Sequence, residues 1–130
     1  MKELAYYDGQ IGAPEEVMIP FNDRVHFFGD GVYEATLGGD HKVFLLQDHL
    51  DRFYGSAKAL EIKIPMEKQE LGSLLTELLQ KVEGRTHFIY WQVTRGVIVQ
   101  LIIIVIGVLL YLPFVKINDK VLSQTASEEN

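Results

Sequence analysis

The sequence contains no cysteine, which removes disulfides, thiolate catalysis and zinc–thiolate sites together. That usage fits a reducing compartment. Histidine is sparse: His26, His41, His49 and His87 match no metal-ligand spacing, and no metal site is expected. No G-x-x-x-x-G-K-[ST] loop occurs, no serine sits in a nucleophile elbow, and Gly29-x-Gly31 lacks the third glycine of a dinucleotide fingerprint. Positive charge is short as well. Residues 1–96 carry ten Lys and Arg against fifteen Asp and Glu, a net of −5. Nucleic acid and anionic membrane surfaces both require clustered cations, so both are poor partners for this part. The start, MKELAYYDGQ, has no apolar core of a signal peptide.

Charge is missing altogether from Val97 to Val115, and Gln100 is its one strongly polar residue. Nineteen residues as a helix would span about 30 Å, the thickness of a bilayer core. Tyr111 near one end suits an interface and Lys116 sits just outside it. The competing reading is a buried strand or core helix. A core helix of this length usually carries a polar face, and this run has none. Basic residues do not decide an orientation, with Lys81, Arg85 and Arg95 on one side and Lys116 and Lys120 on the other. The sequence therefore divides into residues 1–96, an apolar and transmembrane-like helix over 97–115, and a short polar tail over 116–130. At 130 residues there is room for about one domain.

Residues 1–96 predict an α+β unit: a small antiparallel sheet with two helices on one face. Asp8-Gly9 between Leu4–Tyr7 and Ile11 reads as a tight hairpin. A short strand is expected over Val17–Ile19, before Pro20 and Asn22-Asp23 break the pattern. A glycine-rich turn at Gly29-Asp30-Gly31 leads into a strand through Leu37, and Gly38-Gly39-Asp40 turns it back into a second strand over Lys42–Leu46. Asp48 is a candidate N-cap for a helix through Leu60, with Leu50, Phe53, Tyr54, Ala57 and Leu60 on one face. A second helix over Lys68–Val82 carries a leucine stripe and ends at Gly84. His87–Arg95 is rich in aromatic and β-branched residues and reads as a strand.

Two places could carry chemistry. Tyr33 leaves the Gly29-Asp30-Gly31 turn on a strand, and a phenol there could donate to an anion such as a substrate carboxylate. The same residues would also serve as a plain turn before a strand. Arg52 stands in Asp48-His49-Leu50-Asp51-Arg52-Phe53. Its guanidinium could hold a phosphate oxyanion, or form a solvated i,i+4 ion pair with Asp48.

In order, "NDRVHFFGDGVYEAT", "VFLLQDHLDRFYGSAKALEIKIP" and "FIYWQVTRG" resemble the N-terminal domain of the fold-type IV, or class IV, pyridoxal-phosphate aminotransferases. The D-amino acid (D-alanine) aminotransferases are most similar in feel. The resemblance covers about residues 2–96. It implies that Arg52 binds the cofactor phosphate and that Tyr33 lines the substrate pocket. It implies transfer of an amino group from an amino acid to a 2-oxo acid, with pyridoxal 5'-phosphate as electron sink, in a cytoplasmic homodimer. In that family the Schiff-base lysine lies in a second, larger domain. None of the eight lysines here stands in a matching context, so the chain is expected to have no catalytic lysine, to be inactive and not to retain the cofactor. Val97-Ile98-Val99 also replace the segment that supplies the family's carboxylate-trapping Arg and His.

"LIIIVIGVLLYLPFVKINDKVL" is similar to the last transmembrane helix and tail of a lactose/cellobiose-type phosphotransferase-system IIC permease. This resemblance implies a join near Gly96 and membrane association through 97–115. A truncated aminotransferase is thus set against a membrane-anchored α+β binding module and a permease fragment.

Overall fold

The structure, a computed structural model, describes residues 1–96 and 100–107. Its strands are β1 (Leu4–Tyr7), β2 (Gln10–Gly12), β3 (Gly31–Gly39), β4 (Lys42–Val43), β5 (Thr86–Thr94) and β6 (Gln100–Gly107). They form one sheet in the order β2-β1-β6-β5-β3-β4, antiparallel at every pairing. The helices are α1 (Val25–Phe28), α2 (Leu46–Ala59) and α3 (Lys68–Gln80).

The central strand β6 corrects the expectation of a helix over 97–115. Residues 100–107 pair with β1 from Leu4↔Val105 to Tyr7↔Ile102, and with β5 from His87↔Gly107 to Thr94↔Gln100. The sheet thus continues past Gly96. The physical reason lies in position within the sheet. An interior strand is flanked by two others and need not show polar alternation, so it reads as an unbroken Ile/Val run. β-Branched residues favour the pleated conformation over the helix. The rest of 97–115 and the tail over 116–130 lie outside the described residues. Among the described residues, no helix is long and apolar enough to cross a membrane.

Alternation along β3, β5 and β6 places one row of side chains under α2 and α3. That row includes Ile89, Trp91 and Val93 on β5, Ile103 and Val105 on β6, and Leu4 on β1, all fully buried. Leu50, Phe53 and Ala57 of α2 and Leu71, Leu75, Leu78 and Leu79 of α3 close the core from above. The predicted leucine stripe is therefore the buried face. Trp91 is central, with the Phe53 ring edge-on at 6.2 Å between centroids. Each fully buried Leu or Phe contributes about 1.5–3 kcal/mol. Gly38 leaves room for Leu79 of α3: a Cβ there would lie 2.9 Å from Ile89 Cδ1 and 3.0 Å from Leu79 Cδ2, and those side-chain ends would have to shift.

The Asp8-Gly9 hairpin forms as read, pairing Tyr7 with Gln10. Val17–Ile19 is not a strand; it lies in irregular chain after β2. α2 begins at Leu46 behind a left-handed Leu45, with φ 48°. Asp48 is thus inside the first turn rather than at the N-cap, where its charge still favours the helix N-terminus. At the other end Ile62 N donates to Ala57 O and Glu61 N to Lys58 O, the paired bonds of a Schellman cap. Glu61 occupies the left-handed position of that cap at φ 57°, where a Cβ is disfavoured. Glu61→Gly is therefore expected to raise stability by about 1 kcal/mol, readable as a higher urea midpoint with an unchanged slope.

Candidate functional site

β4 pairs with β3 only at Gly38 and Gly39. The edge of β3 around Tyr33–Ala35 thus has no strand neighbour among the described residues, and α2 passes beside it. Gly31 starts the strand. A Cβ at Gly31 would meet Val93 O at 2.8 Å, so glycine lets β3 lie close against β5.

Glu34 is on the helix-facing row, between the strand's Val32 and Thr36 and opposite Trp91. Its side chain is only 4% exposed. A buried carboxylate needs partners, and α2 supplies them one turn apart. Arg52 Nε donates to Glu34 Oε1 at 2.6 Å and Arg52 Nη2 to Oε2 at 2.7 Å. His49 Nδ1 lies 2.8 Å from the same Oε2, and the His49 ring stands edge-on to Trp91 at 6.2 Å. Burial pushes the Glu34 carboxyl up, but the hydrogen bonds and charges of Arg52 and His49 outweigh it and hold the group below its ordinary range. Arg52 remains 67% exposed. Its guanidinium is held edge-on by Glu34, and Nη1 has no partner among the described residues.

The expected i,i+4 pair of Arg52 with Asp48 does not form; Glu34 takes the guanidinium instead. A buried bidentate partner outcompetes an exposed one, because the carboxylate has no water to fall back on. Tyr33 points to the opposite face of the sheet, 65% exposed, and its ring stacks on Tyr90 at 5.5 Å. The two predicted residues still meet at the strand edge. A surface depression of about 370 Å³ is lined by Tyr33, Glu34, Ala35, Arg52 and Ser56. Among the described residues, no lysine is in that lining. Sequence reasoning missed Glu34 and His49. The available signal was an acid placed in an otherwise helix-facing strand row, three residues after Gly31 and opposite the lone tryptophan.

A folded-state carboxyl held below its ordinary value contributes stability above that value, about 4.3 for glutamate. The contribution is lost as the pH falls through the lowered value. Glu34→Gln should thus cost about 1–3 kcal/mol at neutral pH and shrink the additional loss seen on acidification below about pH 5. Denaturation by urea across that range reads both. An acid limb as steep as the parent's would show that Glu34 is not its source.

The comparisons bear on the family and the fold. The family model for amino-transferase class IV matches residues 31–107, which includes the whole of β6. A D-alanine aminotransferase of Listeria monocytogenes serotype 4b (strain F2365) is 41% identical over 83 residues, 64% of this chain and 29% of that protein. A putative branched-chain-amino-acid aminotransferase of Methanocaldococcus jannaschii is 37% identical over 92 residues, 71% of this chain and 32% of the relative. The chain spans about a third of the length of the curated relatives it matches. Among solved structures, a branched-chain amino acid aminotransferase from Escherichia coli superposes with a TM-score of 0.74 at 18% identity, over 82% of this chain and 41% of that one. A hypothetical aminotransferase from Mycobacterium tuberculosis, in a PLP-bound form, gives 0.68 at 20%, over 81% and 40%. At those identities the structures speak for the fold alone. With a family match over more than half its length, the chain belongs to the class IV aminotransferases.

Proposed function

We propose that residues 1–107 are the phosphate-holding and substrate-facing part of a pyridoxal-phosphate aminotransferase of the D-alanine type. Arg52 holds the cofactor phosphate and Tyr33 lines the substrate pocket. The observation that carries this reading is the way Arg52 is presented. Glu34 occupies one edge of the guanidinium, fixing its plane while the remaining N–H groups stay exposed. A planar fork so held suits a phosphate oxygen. The donor set fits the group as a single strong contact. Bound pyridoxal phosphate supplies the electron sink that lets an amino group pass between an amino acid and a 2-oxo acid. This chain's own share is to bind and orient: Arg52 takes the phosphate charge, His49 and Glu34 hold Arg52, and Tyr33 offers a phenol to the substrate carboxylate.

The 130-residue chain as written is proposed not to catalyse transamination and not to retain the cofactor. Among the described residues no lysine lines the depression, so none of them attaches the cofactor there covalently, and one exposed arginine is a weak phosphate site in water. The homodimer implied by the resemblance belongs to the same reading. Phe21, Phe27 and Phe28 form an exposed aromatic cluster, an apolar surface of the kind that association covers. Cytoplasmic residence follows from the same resemblance. The membrane-anchored module and the permease fragment are not favoured, since residues 100–107 of the apolar run are strand β6 within the family match. Any permease likeness is left to residues beyond 107.

Titration with pyridoxal 5'-phosphate tests the reading. Saturable weak binding is expected, lost in Arg52→Ala and lowered roughly tenfold in Arg52→Lys, a change of about 1.4 kcal/mol. Borohydride treatment should leave every lysine unmodified. Steady conversion of D-alanine to pyruvate by the pure chain would overturn the inactive assignment, and equal binding by parent and Arg52→Ala would remove Arg52 from the site.

A further inference from the structure

We propose that Arg95 is a positioning residue for the Arg52 site: its guanidinium clamps the C-terminal end of α2 to the turn that launches β3. That clamp sets how α2 presents Arg52 over Glu34. The consequence for anion binding rests on the phosphate reading of Arg52 given above; the clamp itself does not.

Arg95 follows β5 and touches two other segments at once. Its Nε lies 3.2 and 3.0 Å from the two carboxylate oxygens of Asp30. Its Nη2 donates to Leu60 O at 2.7 Å, and Nη1 reaches Glu61 O at 3.4 Å. Its backbone N donates to Asp30 O at 3.0 Å. Asp30 immediately precedes β3, four residues before Glu34. Leu60 and Glu61 terminate α2, and their carbonyls are among those a helix end leaves without intrahelical donors. Arg24 Nε holds Asp30 from the other side at 2.9 Å, so the carboxylate sits between two guanidinium groups. The left-handed Glu61 turns its carbonyl toward Arg95 instead of continuing the helix.

The rest of the attachment between α2 and β3 explains why this contact matters. Just before the helix, Phe44 N donates to Leu37 O and Thr36 Oγ1 to Phe44 O. At the middle of the helix stand the Glu34 bonds to His49 and Arg52. Arg95 makes the polar attachment at the far end. Arg52 lies eight residues before Leu60, about 12 Å along the axis. Without the far attachment, the last turns of α2 are held by the packing of Phe53 and Ala57 alone, and Arg52 shifts with them. Lysine cannot replace the arginine. A point charge on a flexible stem meets Asp30 or the carbonyls, whereas the planar fork meets both.

The test uses the full 130-residue chain labelled with ¹⁵N, reading the Arg52 Nε–H resonance, which reports its bond to Glu34. Inorganic phosphate is the probe. In Arg95→Lys the Arg52 resonance is expected to shift and broaden while the amide spectrum stays dispersed. Phosphate affinity read at that resonance should fall roughly three- to tenfold. A merely structural role would lower the unfolding midpoint and leave the resonance in place, and that result in a folded Arg95→Lys overturns the proposal. If the parent chain binds no phosphate, the phosphate reading fails by itself, and the position of the Arg52 resonance still decides the clamp. Should Arg95→Lys not fold, Asp30→Asn weakens the same anchor while keeping the backbone bond from Arg95; an unmoved Arg52 resonance there is equally decisive against the clamp.

Discussion

A single buried carboxylate organises the site. Glu34 lies under a helix, opposite Trp91, where an unpaired charge would be costly. Its two oxygens are satisfied by Arg52 and His49, which stand one turn apart on α2. The strand and the helix are thus tied together by a charge that cannot be left alone. The same arrangement aims the free edge of an arginine outward at the rim of the sheet. Packing and chemistry are joined in one contact: the helix must sit where the carboxylate is satisfied, and there Arg52 faces the depression shared with Tyr33.

Around that contact the fold has little freedom. Gly31 permits the close approach of β3 to β5, and Gly38 leaves room for the side chains of Leu79 and Ile89. Both act where a Cβ would strike a neighbour. The core between them is dense with Leu and Ile and centred on Trp91, so the helix–sheet spacing is set by large rigid groups. The two ends of α2 are then held by backbone bonds at Phe44 and by the Arg95 fork at Leu60 and Glu61. The N-terminal end of α2 has a left-handed residue and no side-chain cap, so that end is set by its surroundings, while the other end is closed by its own Schellman bonds.

Most of the helical architecture was legible in the residues, since the leucine stripe of α3 and the apolar face of α2 follow directly from a period of 3.6. The Asp8-Gly9 turn was equally legible. The apolar run was not. Ile103 and its neighbours look the same to a hydropathy count whether a bilayer or two flanking strands surrounds them. Only pairing with Leu4–Tyr7 and with β5 distinguishes the two, and the β1 partners lie 95 to 101 residues away in sequence. The partner of Arg52 was hidden for a related reason. Asp48 lies four residues off and Glu34 lies eighteen, so local spacing pointed to the nearer acid while burial selected the farther one.

By itself, then, the amino-acid sequence determined the class of the fold, the two amphipathic helices, the family motifs and the absence of thiol chemistry. Each of these depends on residue type and on periods of a few residues. The tertiary structure alone decided that residues 100–107 are an interior strand, that Glu34 and His49 belong to the site, and that Arg95 joins the end of α2 to the start of β3. Each of those depends on which distant groups are brought into a shared space from which water is excluded. There the need to satisfy a buried charge or a bare carbonyl outweighs any preference written along the chain.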